Sequence, residues 1–413
     1  MGYRWTAGPC DHGRVWSELR GERVRREVVA LCRDDRTTTE LLEGVIAAVA
    51  TAVPVEATCW STFDPATTLL TGAVGVDLDD DPAGFERFLR LEFADSGVDR
   101  FRDLAAAGRT VAVLGEGDDH RAAREERARD HLAPMGVEHE LRYVLRDAGG
   151  CWAGAGMFRG PGSPAFSDEE RAFLEVLAPT IATGIRTSLL RAAATAAVPA
   201  PVDGAAAAPA GVEVLDAVDV GAAADGPAVI VLERGVLTEA TPAARRWLAE
   251  LAPLDLGTSG LPSSIRAVAV VAETGVATTH RIRSARGTWV VVRGAPLGPG
   301  RTVVTIERAG PPEVLGLIAA ALGLTARERD VVEVVLRGLP TKDIARTLHL
   351  SPYTVQDHLK AVFAKAGVNS RRQLVADVFY GFYAPRLGDQ RGADGWFAPP
   401  PSSNTCQSSD TTG

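Results

Sequence analysis

The stretch LTARERDVVEVVLRGLPTKDIARTLHLSPYTVQDHLKAVFAKAGVNSRRQLVADVFY, Leu324–Tyr380, decides how the rest of this 413-residue chain is read. It divides into four short helices bounded by turn chemistry. Thr325 and Glu328 have the spacing of a capping box, in which each side chain takes up an amide proton that a helix start leaves unbonded. Gly338 stops that run, because glycine enters the left-handed region without steric cost. Pro340-Thr341 restarts the chain, with Ile344, Ala345 and Leu348 on one side of a second helix. Ser351 supplies an N-cap oxygen, Pro352 takes the first helical position, and Gly367 ends the third helix. Ser370 and Gln373 open a fourth. Two helices joined by a turn of about three or four residues, the second with polar outward residues, form the helix-turn-helix pattern that docks in the major groove of DNA.

The third helix supports that reading. Val355, Leu359, Val362, Phe363 and Ala366 recur as one apolar stripe. At about 100° per residue the opposite face carries Tyr353, Asp357, Lys360, Ala361 and Ala364, with Gln356, His358 and Lys365 at the edges. Short side chains among a few hydrogen-bonding ones suit close approach to base edges. The competing reading is the polar face of any small helical bundle.

Leu324-Thr325, Arg327-Glu328, Gly338, Lys342-Asp343-Ile344-Ala345, Leu350-Ser351, Thr354-Val355, His358, Lys365, Gly367-Val368 and Arg371 together resemble the LuxR/FixJ-type helix-turn-helix domain. Gln356 stands where that family usually has a basic residue. The resemblance implies a dimeric transcription regulator whose partners are double-stranded DNA and RNA polymerase. Tyr353, Thr354, Gln356, Asp357 and Lys360 would read bases. Thr341, Lys342, Ser351, His358, Lys365, Arg371 and Arg372 would hold phosphates.

Charge is distributed in agreement. The chain carries a net −9, yet Leu324–Tyr380 holds nine Lys or Arg against six Asp or Glu, a net +3 that leaves −12 elsewhere. A mildly basic reader on an acidic body predicts weak, salt-sensitive DNA affinity helped by dimerisation. Three of the 44 Lys and Arg are lysine, at Lys342, Lys360 and Lys365, all in this stretch. Lysine is a compact point charge with rotatable donors, suited to phosphate contact. With no lysine before residue 342, an aspartyl-phosphate receiver domain is not expected.

The length and the 46% hydrophobic content predict two to four domains with sizeable cores. Five cysteines, at positions 10, 32, 59, 151 and 406, show no metal or redox spacing and read as small buried hydrophobes of a cytoplasmic protein. No run of about 18 apolar residues is long enough to span a bilayer.

Ahead of the reader, an extension to residue 22 precedes helical patterns over Val24–Val53. Strand-like runs follow at Ala57–Phe63, Leu69–Val76, Thr110–Leu114, Leu141–Arg146 and Cys151–Phe158, with helices near Pro82–Phe93 and His120–Ala133. FSDEERAFLEVLAPTIATGI, Phe166–Ile185, resembles the closing helix of GAF domains, which implies an α+β GAF-like sensor over 23–191. An Ala/Pro-rich linker fills 192–211. Strands at Ala228–Leu232, Val236–Ala240, Thr278–Ser284, Thr288–Ala295 and Arg301–Arg308, with a helix from Thr241 to Leu251, resemble an α+β PAS-like sensor over 212–310. GVLTEATPAARRWL, Gly235–Leu248, resembles the segment where such domains place an Asn, though Glu239-Ala240 stands there. A connecting helix over 311–323 leads to the all-α four-helix reader at 324–381, and a polar disordered tail covers 382–413.

Other candidates are weaker. Cys59-Trp60 and Cys151-Trp152 read as core strands, Asp77 to Asp81 as a solvated loop, Glu116 to His120 as a polar loop, and His280 as a residue on an exposed strand face. No phosphate loop, nucleophile elbow or metalloprotease signature is present, so neither catalysis nor a cofactor is expected. A small-molecule ligand in either sensor is the expected input. Two alternatives remain open: a thiol-dependent GAF-containing enzyme, and a ligand-binding or protein-interaction module whose helix-turn-helix has lost strong DNA affinity.

Overall fold

Thr37 opens the first capped helix: its hydroxyl accepts from Glu40 N, and the Glu40 carboxylate accepts from Thr37 N at 2.9 Å. That helix, α2 (Thr38–Ala52), packs against α1 (Glu18–Arg33), which begins inside the stretch read as an extension and buries Val24 and Val28. The computed structural model describes residues 18–78, 82–94, 98–114, 121–147, 149–195, 226–251, 261–285 and 288–375. Most of the expected linker, the expected tail, Asp79 to Asp81 and the Glu116 to His120 loop lie outside those residues.

The first domain is built on an antiparallel sheet of β1 (Ala57–Phe63), β2 (Leu70–Val76), β3 (Val111–Val113), β4 (His139–Asp147) and β5 (Gly150–Arg159), in the order β2-β1-β5-β4-β3. Alternation along β4 splits its side chains between two faces. Leu141, Tyr143 and Leu145 join α1, α2 and the long α6 (Asp168–Thr195) in one apolar cluster. Trp60 and Trp152 are buried there, with Trp60 edge-on to Tyr143 at 5.8 Å, so both Cys-Trp pairs lie in core strands.

Glu140, Arg142 and Val144 face the other way, toward α3 (Pro82–Leu89), α4 (Phe101–Ala106) and α5 (Arg121–Arg127). Both α3 and α5 continue into a single π-helical turn, at Arg90–Ala94 and Ala128–Leu132, and these turns bury Glu92 and His131. A ladder of charge follows: Arg142 Nη1 donates to Glu92 at 2.8 Å and Nε to Glu140 at 3.3 Å, while Arg127 grips Glu140 through two bonds of 2.8 and 2.7 Å.

The second domain repeats the strand order. β6 (Ala228–Glu233), β7 (Val236–Ala240), β8 (Thr278–Arg283), β9 (Trp289–Gly298) and β10 (Arg301–Arg308) form an antiparallel sheet in the order β7-β6-β10-β9-β8. α7 (Pro242–Leu251) covers β6. α8 (Ser263–Glu273) lies where the sequence reading gives bounds only to the helix from Thr241 to Leu251. Eight of its eleven residues are buried, and Arg266 and Glu273 pair with Glu86 and Arg90 of the first domain. One face packs on β8, β9 and β10, and the other meets β2 and the Arg90–Ala94 turn of the first domain. Gly294 on β9 lets it approach: a Cβ there would stand 2.6 Å from Val268. One apolar cluster therefore runs from Phe63, Leu70 and Phe93 through Ile265 to Ile230 and Val304.

His280 corrects an expectation. It is fully buried, because β8 is the edge strand that docks on the β1–β2 turn, and it lies 2.8 Å from the Leu70 carbonyl. α9 (Pro311–Ala321) then leads into three helices, α10 (Ala326–Leu336), α11 (Thr341–Leu348) and α12 (Pro352–Ala366), followed by helical residues 371–375. The architecture is two antiparallel α+β domains ahead of a helical one. Among the described residues, no helix is long and apolar enough to cross a membrane.

Candidate nucleic-acid interface

The capping box opening α10 is formed as its spacing requires: Thr325 N donates to Glu328 Oε2 at 2.7 Å, and Glu328 N to Thr325 Oγ1 at 3.3 Å. Gly338 adopts φ 84° and closes α10. The stop after α11 is His349, left-handed at φ 54°, a conformation that histidine tolerates better than most side chains. After the turn His349-Leu350-Ser351, the Ser351 hydroxyl caps α12 by accepting from Thr354 N at 3.0 Å, and Gly367 ends it at φ 68°. Replacing Ser351 with alanine should destabilise the reader by about 1 kcal/mol, the worth of a lost N-cap, measurable as a lower midpoint in thermal unfolding.

Val331, Val335, Ile344, Val355 and Val362 form the buried centre, and Leu359 is nearly as buried. With that stripe inward, Tyr353, Gln356, Asp357 and Lys360 lie on one outward strip at helical spacing. Tyr353 is 72% exposed although it is large and aromatic. Lys360 Nζ stands 3.7 Å from Asp357 Oδ1, but their side chains are 76% and 50% exposed, so the pair is weak and its members are free to exchange partners.

The other predicted residues divide. Lys342 and Arg372 are exposed, Thr341 and His358 half-buried. Thr354 stands apart from the strip, its hydroxyl 2.8 Å from Ser351 Oγ. Lys365 turns back into the domain and donates to Glu328 Oε2 at 2.6 Å and to the Gly323 carbonyl at 3.0 Å. Burial would raise the Glu328 carboxyl, but hydrogen bonds from Lys365 and Thr325 outweigh it and hold the group below its ordinary value. Arg371 Nη2 donates to the Val335 and Leu339 carbonyls, closing the end of α10 and the turn after it. Sequence spacing carries no signal for either inward contact, since the partners lie more than thirty residues away.

Residues 322–377 match the family model for bacterial regulatory proteins of the luxR family. The spore germination protein GerE of Bacillus subtilis is 40% identical over 55 residues, which span 74% of that protein and 13% of this chain. The chain belongs to the luxR family. A putative HTH-type transcriptional regulator of Mycobacterium tuberculosis is 60% identical to the luxR-type domain over 52 residues, 13% of this chain. The match spans only 6% of that relative's own length. Outside the luxR-type domain, the GAF domain of a phosphoenolpyruvate-protein phosphotransferase from Coxiella burnetii overlaps 43% of this chain and 99% of its own, at 14% identity. Its TM-score of 0.30 is too low to assign a fold to the first domain.

Proposed function

We propose that this protein is a one-component, sequence-specific DNA-binding transcriptional regulator, in which a GAF-like domain and a PAS-like domain control the luxR-type reader. The observation that carries this reading is the outward strip of Tyr353, Gln356, Asp357 and Lys360 on a capped helix of a luxR-type domain. Tyr353, Thr354, Gln356, Asp357 and Lys360 contact bases. Thr341, Lys342, Ser351, His358 and Arg372 hold phosphates, joined by the remaining donors of Lys365 and Arg371. The recurrence of one strand order in both sheets supports two sensors of related architecture. Paired half-sites on duplex DNA call for a homodimer, joined through α6 and the helix that starts at residue 371. A small molecule in either sensor shifts the balance between two arrangements of the protomers, and RNA polymerase is the downstream partner.

A thiol-dependent enzyme is the weaker reading. Burial pushes the Cys32 thiol up to about 11 and Cys151 up to about 12, so neither supplies the thiolate that such chemistry needs.

Selection of bound fragments from genomic DNA at low salt, followed by titration of a recovered duplex, tests the proposal. Lys360→Ala should weaken a specific site by about 1–3 kcal/mol and relax its sequence preference. An equal loss on every duplex would reassign Lys360 to the phosphates, and a wild-type protein that retains no fragment would leave the protein-interaction reading in its place.

A further inference from the structure

Among the described residues, α9 touches all three domains. Leu317 and Ala321 enter the core of the first domain, and Ala319 enters that of the reader. Its C-terminal end is pressed against the first domain at Gly149, where a Cβ would come within 2.1 Å of the Ala320 carbonyl. There Asp147 accepts from Gly149 N and Trp152 Nε1, and lies 3.2 Å from Arg186. The reader is tied to the same end by Lys365, which donates to the Gly323 carbonyl.

The other end is held from the second domain by two arginines: Arg293 on β9 donates Nη2 to the Glu313 carboxylate at 3.2 Å, and Arg281 reaches the helix backbone. Arg281 on β8 directs its guanidinium to the fully buried carboxylate of Asp64, in the β1–β2 turn of the first domain. Nη2 lies 2.5 Å from Oδ1 and Nε 3.0 Å from Oδ2, and the Arg281 amide adds a bond of 3.1 Å. The remaining nitrogen, Nη1, reaches the Glu313 carbonyl in the first turn of α9 at 3.1 Å. It passes over Gly316, where an added Cβ would stand only 3.0 Å away. Next to it, His280 places Nε2 against the Leu70 carbonyl and Nδ1 within 3.4 Å of the Thr67 hydroxyl, so the same turn is held twice.

A planar fork with donors in fixed directions transmits geometry as well as charge. We propose that Arg281 and Asp64 are positioning residues for the reader: their fork fixes the first turn of α9, so a shift of the second domain against the first moves the helix that carries the DNA-binding domain. The consequence for DNA rests on the function proposed above; the coupling itself does not.

Hydrogen exchange on the full-length protein reads the coupling without DNA. Arg281→Met should speed exchange across residues 311–321 by about tenfold, while β10 stays protected. Because that variant strands a buried carboxylate, Asp64→Asn combined with Arg281→Met serves as the second test, with the same release of α9 and a smaller fall in melting temperature. Arg281→Lys separates positioning from simple pairing. A single ammonium keeps Asp64 company but does not also span to Glu313, so stability should largely return while α9 stays loose. Unchanged α9 exchange in the double variant, or loosening that appears only together with loss of protection in β10, overturns the proposal. On a duplex that the wild type binds, the double variant should change Kd at least about threefold. Loosening of α9 with no change in Kd overturns the positioning role. If the wild type binds no duplex, the exchange result still decides the coupling, and it is the function reading that fails.

Discussion

Arg142→Ala is expected to destabilise the protein by about 3–5 kcal/mol, the range for breaking a buried ion pair by removing one partner. Arg142 sits on the β4 face opposite the main apolar cluster, is 3% exposed, and lies between Glu92 and Glu140, each 1% exposed. It also donates to the Asp99 carbonyl at 2.6 Å and lies over the Phe101 ring at 4.4 Å, while Phe101 N donates to Glu92. Alanine would leave the Glu92 carboxylate with that amide and no cation, and Glu140 with Arg127 alone. Nearby water cannot replace the lost charge, since both carboxylates are shut in between the sheet and the π-helical turns. Chemical unfolding should show the loss as a lower midpoint at similar slope; a midpoint within about 1 kcal/mol of wild type would mean that the carboxylates reach solvent or take up protons at little cost. Glu92→Gln combined with Arg142→Met should recover much of the loss, because it removes charge on both sides.

The second large effect is on acid stability, and its sign follows from the same cluster. Burial alone would raise the Glu140 carboxyl; Arg127 and then Arg142 override it and hold it at about 2, against an ordinary 4.5. Burial, then Arg127, pushes His131 down to about 4 from 6.5. Both folded values lie below the unfolded ones, so both contributions are complete above the unfolded value and are lost as pH falls through the folded one. Stability should therefore decline in two stages, from pH 6.5 toward 4 through His131 and from 4.5 toward 2 through Glu140. The Glu140 stage is worth about 3 kcal/mol by the size of its shift. His131→Phe keeps a ring against Phe88, now 6.5 Å away in a stacked arrangement, and should flatten only the upper stage. Melting temperatures across about pH 3 to 8 decide this; an unchanged upper stage in that variant would show that His131 is not its source.

Local patterns account for what was legible in the sequence. Capping residues, strand alternation and turn glycines are short-range signals, so Thr325 with Glu328, Ser351, Gly367 and all ten strands were placed to within a few residues. The polar outward face of α12 was legible for the same reason, since its buried stripe sets the opposite side. Partners distant in sequence were not. The burial of Arg142, inside the expected strand Leu141–Arg146, had no local signal, because its partner Glu92 lies fifty residues earlier and nothing nearby shows that helices cover both faces of the sheet. His280 reads as exposed because its cover is the β1–β2 turn, some two hundred residues earlier. Lys365 reads as a free surface cation because its carboxylate belongs to another helix's capping box. The packing of α8 was hidden for the same reason: Arg266 and Glu273 pair with Glu86 and Arg90, about 180 residues earlier.

That last helix has a consequence for how the protein can be taken apart. With one side of α8 claimed by each α+β domain, severing the chain between residues 195 and 226 would not yield two independent folding units; each fragment would expose a greasy wound where the other had been. Modular exchange, grafting the second domain onto a foreign DNA-binding domain, would have to bring the first along, and the pair should melt as one body in a calorimeter rather than as two.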